Sequence, residues 1–272
     1  MTSDSLQELV QRYRARFRVG TSATPDRQDM RFNVALDILG DVFYADSEDE
    51  LREAGIITAP KVFRIRTNFK YDYWGDHRSD RQGHCQKPGC RLTSQHSHKN
   101  NYQKLLGSLE TNRARNGLVV SCLLAQVKSG PHVHLVISDH VEHLKELLKA
   151  YEHISASLNG NQPPVYFLTG KTPRAERRAI LAALETATNA VLFSTVAKEA
   201  VDIPRIDRIY LPYPGKQPAA TEQKIGRGTR VVAGKGETWI FDFADLNVVV
   251  LSRQFRNRRY RVYDKLGLEV VL

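Results

Sequence analysis

The sequence predicts an α/β protein whose core is a parallel sheet flanked by helices. Three observations carry that prediction. Short, nearly continuous apolar runs such as Val133 to Ile137 suit strands buried on both faces. Amphipathic stretches with apolar residues at helical spacing separate those runs. Capping and stop signals stand where the helices should begin and end.

Taken in order, Ser3 to Arg16 carries Leu6, Leu9, Val10 and Tyr13 at helical spacing and predicts a helix. Phe17 to Val19 reads as the end of a short strand before a turn at Gly20. Residues 41–62 mix acids with Gly55 and Pro60 and predict a linker. Val62 to Phe69 alternates, with Phe63, Ile65 and Phe69 on one face and Arg64 and Arg66 on the other, as in an edge or half-buried strand. Residues 71–100 show no helical or strand period and predict a long polar loop or insertion.

From Tyr102 the rhythm is regular. Tyr102 to Lys128 predicts two helical segments, stopped at Gly130-Pro131. Strands are expected at Val133 to Ile137, Val165 to Leu168, Ala190 to Phe193, Ile206 to Leu211 and Thr238 to Phe243. Helices fill the gaps at Val141 to Leu158, from a Thr172 cap with Pro173 at the first helical position to about Ala187, and at Ala219 to Arg227. A last helix starts near Val249, with Leu251, Phe255, Val262 and Leu266 on one face and arginines over much of the rest.

Composition narrows the function. The 272 residues hold 40 Lys and Arg against 30 Asp and Glu, a formal charge of +10. Such a surplus suits an acidic partner, nucleic acid above all, although solvated lysines and arginines alone can produce it. No apolar run reaches the roughly 18 residues of a membrane span, and the N-terminus has no apolar signal core. Three cysteines do not make a secreted disulfide framework, so a cytoplasmic location is expected.

Three short blocks carry chemistry through their order. Gly20-Thr21-Ser22-Ala23-Thr24-Pro25 follows an apolar strand end. Thr195-Val196-Ala197-Lys198-Glu199-Ala200-Val201-Asp202-Ile203-Pro204 follows the third of the regular strands. Gln223-Lys224-Ile225-Gly226-Arg227-Gly228-Thr229-Arg230 lies on or after the short helix. Arg227 and Arg230, three apart, can reach one phosphate group from one helical face. Arginine suits that task because it is always charged and grips phosphate with two hydrogen bonds. The alternative for the pair is surface salt bridging.

In this order the blocks resemble motifs III, V and VI of superfamily 2 helicases of the DEAD/DEAH-like phage, repair and restriction type, with Val133 to Ser138 at the place of motif IV. The resemblance covers nearly the whole chain. It implies a RecA-like parallel sheet forming the second of two such domains, with ATP and nucleic acid bound across the cleft between them. It assigns Arg227 and Arg230 as arginine fingers and places Asp202, Gln223 and Gly226 at the nucleotide, with Asp202 on a ribose hydroxyl. Thr195 would lie near the nucleic-acid backbone, and Ser22 and Thr24 would couple ATP turnover to domain movement. Glu199-Ala200 departs from the family's usual Glu-Gly, and alanine restricts the backbone there.

A phosphate-cradling Gly-x-x-x-x-Gly-Lys-Ser/Thr loop is not found. Gly170-Lys171-Thr172 resembles its end, but position 165 is Val and the stretch falls after motif IV. Asp49-Glu50-Leu51-Arg52 is no acidic motif II, since it ends in Arg and follows no apolar strand. The resemblance therefore implies that residues 1–59 are a remnant of the first RecA-like domain with a linker, and that residues 60–272 are the second domain. ATP and Mg²⁺ would be used only with a partner chain or segment supplying the first domain. DNA is expected before RNA, by resemblance. The competing reading is a non-catalytic nucleic-acid-binding or regulatory module that keeps the fold.

Two further features stand apart. Cys85, Cys90, His96 and His98 could hold Zn²⁺ tetrahedrally, or could lie in a basic loop with free thiols. In the last helix, Arg256 and Arg259 belong to a basic face that could contact nucleic-acid phosphates or simply be solvated.

Overall fold

The computed structural model describes residues 48–72, 99–157, 162–195, 203–215, 218–226 and 228–271, with scattered positions before residue 42. The chain divides into two compact units, Met1–Leu51 and Arg52–Leu272. Most of the helix expected over Ser3 to Arg16 lies outside the described residues, as does most of the polar stretch 71–100. In the first unit Arg12 pairs with Glu8 one helical turn earlier, and Phe17 and Val19 are exposed. Where composition predicts only linker, Glu48–Glu53 forms a short helix, α1. Its glutamates and leucine are strong helix formers, and early acids suit the helix dipole.

The larger unit is built on seven parallel strands: β1 (Lys61–Arg66), β2 (Val133–Ile137), β3 (Val165–Leu168), β4 (Ala190–Ser194), β5 (Arg208–Leu211), β6 (Trp239–Ala244) and β7 (Val270–Val271). Their order across the sheet is β3-β4-β2-β5-β6-β1-β7. The helices are α2 (Lys99–Glu110), α3 (Arg113–Ser129), α4 (Val141–Ala156), α5 (Arg174–Thr186), α6 (Pro218–Gly226), α7 (Val249–Gln254) and α8 (Arg261–Lys265). A π-helical segment, Phe255–Tyr260, joins the last two into one continuous rod. No helix among the described residues is long and apolar enough to cross a membrane.

Strand alternation sorts the core into two layers. Val133, Leu135 and Ile137 of β2 pack with Ile180 and Leu184 of α5, Ile225 of α6 and Val262 of α8. Val136, on the other face, packs with Val119 and Leu123 of α3 and Leu144 and Leu147 of α4. Helices on both faces explain why the central strands read as unbroken apolar runs. A third cluster joins Leu105 and Leu109 of α2 to Phe69, Val248 and Leu251.

The termini follow local chemistry. The Asn112 side chain accepts from the Arg115 amide at 2.9 Å and starts α3, and Gly130 ends it. At α5 the cap is Pro173 rather than Thr172. A residue before proline is driven out of the helical region, so the Thr172 hydroxyl turns back to accept from the Thr169 amide at 3.0 Å. Strand β1 is half-buried as its alternation predicts, but it is not at the edge. The two residues of β7 cover it, too short a strand to show a period.

A buried histidine sits inside this core. His134, in the middle of β2, has its Nδ1 3.2 Å from the Tyr210 hydroxyl, and its Nε2 has no hydrogen-bond partner. Burial, then His132 and Arg208, push its pKa from 6.5 down to about 3. The unfolded chain therefore takes up a proton near pH 6.5 that the folded chain refuses. The resulting stability is fully present above pH 6.5 and is lost as pH falls toward 3. Urea midpoints should drop on acidification from about pH 7 to about pH 4, and His134→Phe should make that slope shallower. An unchanged slope in the variant would remove His134 from the account.

Candidate functional site

In open parallel sheets ligands bind beyond the carboxyl ends of the strands. Here that edge is held together by buried charge. Asp245, just after β6, takes two hydrogen bonds from Arg115 of α3, Nε to Oδ1 at 2.8 Å and Nη2 to Oδ2 at 2.9 Å. Arg115 also donates to the Pro212 carbonyl at 2.5 Å, and Thr67 after β1 donates to Asp245 at 2.5 Å. Asp242 within β6 pairs with Arg259 of the π-helical segment and accepts from the Tyr263 hydroxyl at 2.7 Å. Arg259 further donates to the carbonyls of Leu211 and Tyr213. These contacts tie the ends of β1, β5 and β6 to α3 and the terminal rod.

The loop after β2 is anchored from two sides. Lys224 of α6 donates to Asp139 at 2.8 Å. His140 stacks on Tyr213, ring centroids 4.7 Å apart, and its Nε2 lies 3.0 Å from the Tyr213 hydroxyl. Its Nδ1 lies 2.8 Å from the Glu110 carboxylate of α2, whose pKa burial pushes up. His143 bridges Ser138 and the Asn116 amide oxygen.

The block after β5 is closely packed at Gly228. On α6 Gln223 is exposed, while Lys224 and Ile225 are buried. Beyond the helix the Gly228 amide donates to the Ile225 carbonyl at 3.0 Å. A Cβ on Gly228 would stand 2.6 Å from Thr238 Cγ2 and 2.8 Å from Ile209 Cδ1, so only glycine fits. The Thr229 carbonyl accepts from the Thr58 amide at 2.8 Å, and Arg230 forms an antiparallel bridge with Ile57. The chain then reverses at Gly234, φ 77°, in the left-handed region that favours glycine. Lys235 comes back to three carbonyls, those of Gly228, Arg230 and Pro204.

The expected site residues fall as follows. Ser22, Thr24, Asp202, Arg227 and the four candidate zinc ligands Cys85, Cys90, His96 and His98 lie outside the described residues. Among the described residues no cluster of three or more His, Cys, Asp or Glu could hold a metal ion. Thr195, half-buried, follows β4 with its amide on the Leu168 carbonyl at 3.2 Å. Gly226 is exposed at the end of α6, Arg230 is exposed four residues on, and Arg256 is exposed on the terminal rod. Arg259 requires correction as a nucleic-acid contact. It is 3% exposed, and its guanidinium is spent on Asp242 and two carbonyls. The signal for that was available, since Asp242 stands in an apolar strand and needs a cation, and Arg259 is four residues from both Phe255 and Tyr263. Arg115 and Lys235 were missed. The first sits at the head of an apolar helix, and the second stands alone between two glycines.

A seven-stranded parallel sheet with helices on both faces and an arginine block beyond α6 is the RecA-like helicase C-terminal fold. Residues 116–232 match the helicase conserved C-terminal domain family. The fold is similar to a fragment of a putative HsdR subunit of a type I restriction enzyme from Vibrio vulnificus YJ016, with 20% identity and a TM-score of 0.62. That likeness covers 88% of this chain and 42% of the other. It is also similar to T4 UvsW, at 14% identity and a TM-score of 0.50, covering 78% of this chain and 40% of that one. The chain thus spans about two fifths of the length of each. No curated protein sequence matches it.

Two substitutions test the framework. Arg115→Met leaves Asp245 charged and buried and should lower stability by about 3–5 kcal/mol in urea unfolding, with part regained in the double variant Arg115→Met/Asp245→Leu. Gly228→Ala forces a clash on both neighbours and should cost about 1–3 kcal/mol.

Proposed function

We propose that the chain supplies the second RecA-like half of an ATP-dependent superfamily 2 translocase acting on nucleic acid. The observation that carries this reading is the exposed Arg230, on a loop whose backbone is pinned at Gly228 and Thr229 within the segment that matches the helicase C-terminal family. That loop lies at the amino end of the sheet, against the segments before β1, β5 and β6. At the carboxyl end Asp242 and Asp245 are buried against Arg259 and Arg115, and the partly exposed Asp139 pairs with Lys224. A firmly held arginine suits the phosphates of ATP, while those three carboxylates are already paired and leave Mg²⁺ to other ligands. The metal ligands and the phosphate-cradling loop would come from the first domain.

Phosphoryl transfer needs positive charge where negative charge develops on the γ-phosphate. Arg227 and Arg230 would provide it as arginine fingers. Asp202 would hold a ribose hydroxyl, with Gln223 and Gly226 beside the nucleotide. Thr195 and Arg256 would meet the nucleic-acid backbone, and Ser22 and Thr24 would relay domain movement. The restriction-enzyme relative makes DNA the first substrate to test.

The purified chain should show no ATP hydrolysis alone, with or without single-stranded DNA. Adding a separate first-domain chain that carries the phosphate loop and acidic motif should produce DNA-stimulated turnover. Arg227→Ala or Arg230→Ala should then lower kcat on the order of a hundredfold. Turnover by the chain alone, or full activity in both variants, would sink the reading. DNA binding with no turnover in the assembly would favour the non-catalytic module. In salt titrations of DNA affinity, Arg256→Ala should reduce the slope by about 1.

A further inference from the structure

Lys235 belongs to none of the motifs read above, yet it makes the most concentrated side-chain contact of the arginine block. Its Nζ lies 2.6 Å from the Gly228 carbonyl oxygen, 2.9 Å from that of Arg230 and 3.0 Å from that of Pro204. An ammonium has three N–H donors and no acceptor, so three carbonyls satisfy it completely. Two of those carbonyls bracket the loop that presents Arg230. The third belongs to the segment that follows Asp202 and Ile203 in sequence.

The arrangement is costly to keep. A lysine serving only solubility would run its stem over the surface and leave its head in water. Here burial pushes the ammonium's pKa down to about 8, with Asp207 pulling the other way. The loop is also held on its other side, by the bridge between Ile57 and Arg230 and by amide bonds from Thr58 to the Thr229 carbonyl at 2.8 Å and from Val231 to the Ile56 carbonyl at 3.3 Å. Among the contacts described above, only Lys235 ties it to the segment at Pro204. The reversal at Gly234 is what returns the side chain to this point. Thr238 shares the Gly228 carbonyl at 2.5 Å, which joins the same knot to the residue before β6.

We propose that Lys235 is a positioning residue for the phosphate-facing arginine loop, fixing the backbone of Gly228 to Arg230 against the segment at Pro204 by gathering their carbonyls. This rests on the reading of the arginine block as nucleotide-facing. The side chain touches no substrate itself. It sets the point from which Arg230 projects and keeps that point in register with the preceding motif. A small displacement there is felt in the chemical step more than in ground-state binding, because the arginine charge matters most in the transition state.

The test compares Lys235→Met and Lys235→Arg in the full chain assembled with the first-domain chain, at saturating single-stranded DNA. Lys235→Met should lower kcat by about tenfold or more while the KM for ATP stays within about twofold. Lys235→Arg should recover most of the loss, because it keeps the charge and several donors. A Lys235→Met enzyme with unchanged kcat would overturn the proposal. So would parallel losses in kcat, ATP affinity and DNA affinity that track the folded fraction. If the wild-type assembly shows no turnover, the functional reading fails by itself, and the strap is judged by amide hydrogen exchange in the chain alone. Faster exchange in Lys235→Met, by about tenfold and confined to Thr229–Val231 and the neighbourhood of Pro204, would support it. Unchanged exchange, or acceleration across the whole sheet, would overturn it.

Discussion

Two aspartates at the end of an apolar strand govern the architecture. Asp242 and Asp245 are both buried, and a carboxylate cannot stay ionised in an apolar interior without a cation and hydrogen bonds. Arg115 and Arg259 meet that demand from opposite directions, one from α3 and one from the terminal rod. Each arginine also donates to backbone, Arg115 to the Pro212 carbonyl and Arg259 to those of Leu211 and Tyr213. The exit of β5 is thereby fixed by the same charges that fix β6. Helix packing alone would allow sliding along the sheet. The bidentate pairing of Arg115 with Asp245 does not, because its geometry is narrow.

This rigidity bears on function through what it leaves outside. Asp242 and Asp245 keep their charge in the interior, while Asp139 stays partly exposed beside Lys224. The exposed Arg230 stands at the other end of the sheet, where the loop beyond α6 meets the segments before β1, β5 and β6. The helix end itself would contribute partial negative charge at its carboxyl terminus, which side-chain cations must outweigh. Stiff backbone around Gly228 fixes the point from which Arg230 leaves the chain.

Much of the fold was legible in the sequence, for reasons that differ by element. β2 and β4 showed themselves because burial on both faces makes an unbroken apolar run, and α4 because one buried stripe makes a period. β7 has two residues and no period to show. The helix Glu48–Glu53 was hidden because acidic residues read equally well as linker. In the candidate site, the order of short blocks located Gln223, Gly226 and Arg230 on the connection between β5 and β6. Arg259 was misread because an arginine among arginines looks like surface until its partner in the facing strand is considered. Arg115 and Lys235 left no trace, since their partners are backbone carbonyls or a distant carboxylate, neither visible as a local pattern.

The π-helical segment Phe255–Tyr260 gives the terminal rod an unusual tolerance in length. A wide turn holds one more residue than regular helix would need, and its smaller rotation per residue absorbs the surplus without changing the phase of the helix beyond it. Removing one residue there would let the rod return to regular helix with Val262 and Tyr263 still facing the sheet. Removing two would rotate everything downstream by about 100°, so that Val262 and Tyr263 would leave the sheet and the Asp242 pair would lose its alignment. The wide turn is thus a one-residue slack in the length of the rod, which a strictly regular helix would not have.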